Sequence, residues 1–253
     1  MARLAHKRWG DTLLNSTPPR NRGLLLFDYD GVLVDSLNII SQYTTTFCRE
    51  HGLGEGLNQT DVDAMESATL SGLIEAAGIS KAYVRHYARY LFQALNRDPL
   101  KVPLFKGIPE MLTDLAQYYT LCVVTANHST IVRQRLDAAQ LTSLMDCIYG
   151  NEQPGSKVEH IVNALEMNSA QPNSTWMIGD TVGDLEAAQN AGVKAVAATW
   201  GWQSSIRLKS KAPDLMFEHP QALHDYFRST PNQTSVPRGT IWPIFICRAI
   251  LKT

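Results

Sequence analysis

Four short stretches of the chain are largely apolar and stop abruptly at a small or polar residue. Leu24 to Phe27 stops at Asp28, and Leu121 to Val124 stops at Thr125. Thr175 to Ile178 runs into Gly179-Asp180, and Lys194 to Ala198 runs into Thr199. Such runs fit strands buried on both faces. Helical patterns separate them. Residues 108–116 are amphipathic with Pro109 in the first turn, where proline is tolerated. Ser129 is placed to cap a helix over 131–139, and Ser156 to cap one over 158–167. A fourth pattern, 184–190, runs to Gly192, a good C-terminal stop. Strand-helix alternation of this kind predicts an α/β fold, a parallel sheet covered by helices.

One stretch breaks the alternation. Between Ser36 and Phe105 no strand pattern occurs, while Leu37, Tyr43 and Phe47, and then Tyr83, Tyr87, Tyr90 and Leu91, fall on helical faces. Gly52, Gly54 and Gly56 mark a loop between them. The spacing predicts a helical block inserted straight after the first strand. The expected organisation is an N-terminal extension (1–22), an α/β core (23–35 and 106–227), the helical insert (36–105) and a C-terminal tail (228–253).

Composition narrows the partners. Lys plus Arg total 23 against 24 Asp plus Glu, a net charge of -1 over 253 residues. That balance lacks the basic footprint of a nucleic-acid binder. The basic N-terminal extension has no apolar run of the secretory type, and no stretch reaches the ~20 apolar residues of a membrane span. The tail Ile241 to Cys247 is apolar but short, and is interrupted by Pro243. The four cysteines, at 48, 122, 147 and 247, form no CxxC pair. The expectation is therefore neither a zinc site nor a disulfide framework, in a reducing, cytoplasmic setting.

The chemistry gathers where the strands end, the place where open α/β sheets bind ligands. In Asp28-Tyr-Asp30-Gly31 the two carboxylates are two residues apart on an extended chain and face one spot, and Gly31 permits a sharp turn. Gly179-Asp-Thr-Val-Gly-Asp184 follows a second buried strand and opens a helix. Either segment alone reads equally well as a surface turn or a helix cap. Together they set four carboxylates at neighbouring strand ends, a hard oxygen environment that suits Mg²⁺ beside a phosphate. Thr125, with the amides from Ala126 onward, offers donors at a third strand end. Lys157 stands in a first helical turn, where the helix dipole disfavours a cation.

These residues resemble the haloacid dehalogenase-like (HAD) hydrolases. Asp28-Tyr-Asp-Gly-Val-Leu-Val-Asp-Ser36 looks like the family's first signature, and Thr125, Lys157 and Gly179 to Asp184 match the next three in order. The likeness spans about residues 24–226. It implies a Rossmann-like core with an α-helical cap at 36–105, and 179–202 is most similar to phosphoglycolate phosphatase-like members. It also implies Asp28 as nucleophile, Asp30 as acid and base, Lys157 as charge partner, and Thr125 with Ala126 as phosphate binders. Mg²⁺ would sit on Asp28, the Asp30 backbone carbonyl, Asp180 and Asp184. The chain departs from the family in having Ala126, with Asn127 one place later, and Val158 where proline is frequent. Lys106 is the weaker alternative to Lys157. The expected activity is Mg²⁺-dependent hydrolysis of a small phosphorylated metabolite, with a β-phosphoglucomutase-like phosphomutase or a non-catalytic binding protein as the alternatives.

Overall fold

The computed structural model describes residues 22–65, 69–97 and 101–230. The extension before Arg22 and the apolar run Ile241 to Cys247 lie outside them. Six strands form one sheet: β1 (Leu24–Phe27), β2 (Thr120–Val124), β3 (Met145–Tyr149), β4 (Thr175–Gly179), β5 (Lys194–Ala198) and β6 (Leu215–Phe217). Their order is β3-β2-β1-β4-β5-β6, and every pairing is parallel. The register sets Phe27 beside both Val123 and Ile178. The carboxyl ends of the three central strands therefore coincide, and the residues that follow them share one edge.

Alternation along β1 explains the layering. Leu25 and Phe27 join one apolar cluster, with Leu112 of α5 (Ile108–Leu115), Ile131 of α6 (Ser129–Ala138) and Phe227 of α10 (Pro220–Ser229). Leu24 and Leu26 join the other, with Ile161 of α7 (Lys157–Met167) and Leu185 of α8 (Val182–Asn190). All four β1 side chains are fully buried, so no polar alternation is possible in that strand. A further core helix, α9 (Ser205–Lys209), adds Leu208 to the second cluster.

Four helices lie between β1 and α5: α1 (Leu37–His51), α2 (Gln59–Ala64), α3 (Leu70–Ala76) and α4 (Val84–Arg97). The aromatic residues expected on helical faces meet there. Phe47 packs edge-on to Tyr87 with ring centres 5.3 Å apart, and the buried Tyr87 hydroxyl lies 2.7 Å from Thr44 Oγ1. Asn58, part of an Asn-x-Thr triplet, caps α2 by accepting the Asp61 amide at 3.0 Å. Ser156 caps α7 as expected, in a reciprocal pair with Glu159. Helix α6 begins at Ser129, two residues earlier than expected, and its cap is not Ser129 but His128, whose Nδ1 accepts the Thr130 amide at 3.2 Å.

One expectation is corrected. Cys122 and Cys147 are joined in a disulfide. They are register partners on β2 and β3, and their Cα atoms lie 4.8 Å apart, inside the range such a bond spans. The two are 25 residues apart in sequence, so no local spacing marks the pair. Among the described residues no helix is long and apolar enough to cross a membrane.

Candidate active site

Asp28 follows β1, Thr125 follows β2, and Asp180 follows β4. Lys157 is the first residue of α7, and Asp184 lies in the first turn of α8. The parallel register draws all five to the same edge. Asp28, Thr125, Asp180 and Asp184 are buried, at 4 %, 4 %, 0 % and 2 % exposure. The Lys157 ammonium stands 3.2 Å from Asp28 Oδ1 and 2.5 Å from Asp184 Oδ1. Asp184 Oδ2 accepts the Thr181 amide at 3.0 Å and the Thr181 hydroxyl at 2.7 Å. Asp184 is thus bound on both oxygens, one of them by the lysine. The lysine position that is unfavourable to a helix dipole is explained by these two carboxylates.

One carboxylate oxygen from each of Asp28, Asp180 and Asp184 falls within 4.8 Å of the others. Asp180 Oδ2 accepts the Trp202 amide at 2.7 Å, while its Oδ1 is buried without a hydrogen-bond partner. A buried carboxylate oxygen left bare is costly, and a divalent cation shared with Asp28 would satisfy it. The donor set, all oxygen and all anionic, fits Mg²⁺. The site is tightly wrapped. Gly31 has φ +76°, and a Cβ there would collide with the Asp180 carboxylate; one on Gly179 would collide with Asp184.

The Asp30 carboxyl stands apart from that cluster. Its Oδ2 accepts the Asn127 side-chain amide at 2.8 Å. Asn127, to which the sequence assigns no role, is held in turn by its own amide on Thr125 Oγ1 at 3.1 Å. Two cavities meet here. One, of about 300 Å³, is lined by Asp28, Thr125, Lys157, Thr181 and Asp184 among others. The other, of about 250 Å³, lies between α3, α4 and the core and carries Asp30 on its wall. Ala126 and Asn151 belong to both.

A clasp that the sequence does not announce joins α2 to residues 202–204. Gln59 donates to the Trp202 carbonyl at 2.9 Å, and the Ser204 amide donates to Asp63 Oδ1 at 2.7 Å. The buried Gln203 donates to the carbonyls of Val62 and Met65, and its Oε1 accepts the Val182 amide at 2.7 Å. Gln203 therefore holds the start of α8 and the helical block at once.

The electrostatics follow from crowding and burial. Burial pushes the Asp28 carboxyl up to about 7; Lys157 opposes the rise, and Asp184 and Asp30 add to it. Burial and then Asp184 raise Asp180 in the same direction. Burial also raises Asp30, against the pull of Asn127 and Lys157. Burial alone would lower Lys157, but Asp184 and Asp28 outweigh it and hold the ammonium above its ordinary range.

A raised carboxyl binds protons in the folded chain that the unfolded chain has already lost. Metal-free stability should therefore fall as pH rises from about 4 to about 7. Mg²⁺ should restore it, and more at pH 7.5 than at pH 5. At 100 times its dissociation constant the gain is about 2.7 kcal/mol, or roughly 5–10 °C in Tm. Thermal melts in chelator and in Mg²⁺ at the two pH values check this. Equal melts with and without Mg²⁺ at pH 7.5 would count against a metal on these aspartates.

Comparison with known proteins decides the family. The family model described as haloacid dehalogenase-like hydrolase matches residues 25–198. The chain belongs to that family. It is 24 % identical over 200 residues to a phosphoglycolate phosphatase of Synechococcus elongatus, covering 79 % of this chain and 94 % of that one. It is 30 % identical over 206 residues to the probable phosphatase IndB of Dickeya dadantii, covering 77 % and 89 %. The solved structure of a haloacid dehalogenase-like hydrolase from Streptococcus pneumoniae superposes with a TM-score of 0.71 at 26 % identity, covering 81 % of this chain and 98 % of that one. In this HAD-like hydrolase the two central, neighbouring strands β1 and β4 lead into Asp28 and Asp180.

Proposed function

We propose that the protein is a Mg²⁺-dependent phosphatase of small phosphate monoesters, working through an aspartyl-phosphate on Asp28. The observation that carries this reading is the placement of Asp28 and Asp30. Asp28 faces the cavity with Lys157 and Thr125, and Asp30 faces the adjoining one. Nucleophile and acid thus stand on opposite sides of the bond to be cut.

A phosphoryl group in the first cavity meets Thr125 and the following amides on one side and Lys157 on another. One Asp28 oxygen attacks phosphorus, forming the acyl-phosphate bond as the ester P–O bond breaks. Asp30, whose protonated form burial favours, gives its proton to the departing oxygen. The ionised Asp30 then takes a proton from water as that water attacks phosphorus. The bond to Asp28 breaks, and inorganic phosphate leaves. Lys157 balances the negative charge on Asp28 and the phosphoryl oxygens throughout. Asp28, Asp180 and the Asp30 backbone carbonyl would hold Mg²⁺, which would supply charge neutralisation for the phosphoryl oxygens. Asp184 positions Lys157 beside it. The helical block acts as a cap, and its contact with residues 202–204 sets how it sits over the site.

The test is phosphate release from a panel of monoesters by the full chain with Mg²⁺. Hydrolysis should fall at least 100-fold in excess chelator and return on adding Mg²⁺. Activity undiminished by chelator would overturn the metal assignment. Transfer to a sugar phosphate with no phosphate released would make the protein a mutase instead. Phosphoglycolate is in the panel because a relative is named for it, although the lining of the second cavity weighs against it.

A further inference from the structure

The cavity of about 250 Å³ beside Asp30 is the place left for the alcohol half of the substrate. Most of its wall is apolar, with Leu73 of α3, Leu91 and Leu95 of α4, Ile131 of α6 and Phe92 at the rim, while Asn127, which donates to Asp30, and Asn151 are polar but uncharged. Phe92 is 38 % exposed, and its ring lies 5.2 Å from that of His128. Among the described residues no Lys or Arg lines the space. Among the described residues His128 is the one imidazole on the wall, and its Nδ1 accepts the Thr130 amide at 3.2 Å and lies 3.7 Å from Glu152 Oε2. Any charge on that ring would meet the Glu152 carboxylate before a ligand. The remaining ionisable group on the wall, Asp30, is acidic.

A carboxylate placed here would lose water and find no positive partner, which is strongly unfavourable. An apolar group would exchange water for Leu, Ile and Phe side chains, which is favourable. The volume exceeds the ~150 Å³ that accommodates a benzene. We propose that this cavity takes an uncharged, largely apolar leaving group, so that the preferred substrates are phosphate monoesters of apolar or aromatic alcohols and not of hydroxy acids such as glycolate. This rests on the phosphatase reading given above. Phe92 and Leu95 are then specificity-determining residues.

The test compares benzyl phosphate, 4-carboxybenzyl phosphate and 2-phosphoglycolate with the full chain and Mg²⁺. The two benzyl esters share the same alcohol chemistry and differ in charge. Benzyl phosphate should exceed each of the others at least 10-fold in kcat/KM. Phe92→Arg should shrink the benzyl to carboxybenzyl ratio at least 10-fold, and that ratio, internal to each protein, does not depend on the fraction folded. Phosphoglycolate or the carboxybenzyl ester turned over as well as benzyl phosphate would overturn the proposal. If none of the three releases phosphate, the phosphatase reading fails, and calorimetry with benzylphosphonate and phosphonoacetate decides the cavity separately. Benzylphosphonate binding at least 10-fold tighter sustains it; equal or tighter phosphonoacetate overturns it.

Discussion

Asp28→Asn should lower turnover by about 10⁴-fold or more while leaving the metal-free protein as stable as the parent or more so. The two halves of this expectation have separate causes. The amide cannot attack phosphorus, so no acyl-phosphate forms. Yet in the absence of metal Asp28 is a buried carboxylate beside Asp180, Asp184 and Asp30, and its charged form is held against burial and like charge. Removing one charge from that group relieves repulsion, with Lys157 still paired to Asp184 at 2.5 Å. Phosphate release on the best substrate measures the first half, and a melt in chelator at pH 7.5 the second. Turnover near the parental value would remove Asp28 from the role of nucleophile.

Asp30→Asn should be the next most damaging change, and its size should depend on the leaving group. General acid catalysis contributes about 10²–10⁴-fold, so esters of simple alcohols should lose that much. A nitrophenolate leaves without a proton, and nitrophenyl phosphate should lose at least 10-fold less in the formation of the acyl-phosphate. Water attack on that intermediate still needs the base, so the variant should show a burst of nitrophenolate followed by slow turnover. Rapid-mixing absorbance reads both phases. Equal losses on both classes of ester, with no burst, would mean that Asp30 acts through structure alone, for example through the Asn127 amide at 2.8 Å.

The parts of the fold legible in the sequence were those buried on both sides. β1, β2, β4 and β5 show nearly continuous burial, and continuous burial writes a continuous apolar run. The edge strands β3 and β6 are only half-buried, so Met145-Asp-Cys-Ile-Tyr149 carries a polar residue where the rule expects none. The acidic strand ends were legible because one short segment holds each pair of carboxylates. Asn127, Gln203 and the Trp202 amide were not, because their partners lie 97, 138 and 22 residues away. Asn127 had one local signal, its position two residues after Thr125. The Cys122–Cys147 bond was hidden for the same reason: strand register made the neighbours, and no spacing encodes register.

The position of β1 in the sheet has a consequence for how the chain is made. Leu24 pairs with Thr120 on one side and Thr175 on the other, offsets of 96 and 151 residues. A ribosome adding about 5–20 residues per second produces the second partner about 8–30 s after the first strand. Until β2 emerges β1 has no neighbour to pair with, and for the rest of that interval one of its edges stays open. The helices α1 to α4, which emerge next and make contacts local in sequence, can form within that window, since local contacts close fastest. Order of birth then differs from order of assembly: the insertion folds early, and the strand that precedes it is completed on both edges only when β4 arrives. A nascent chain halted before β4 would expose Leu-Leu-Leu-Phe on an open edge, and that is the stage at which this protein most needs a chaperone.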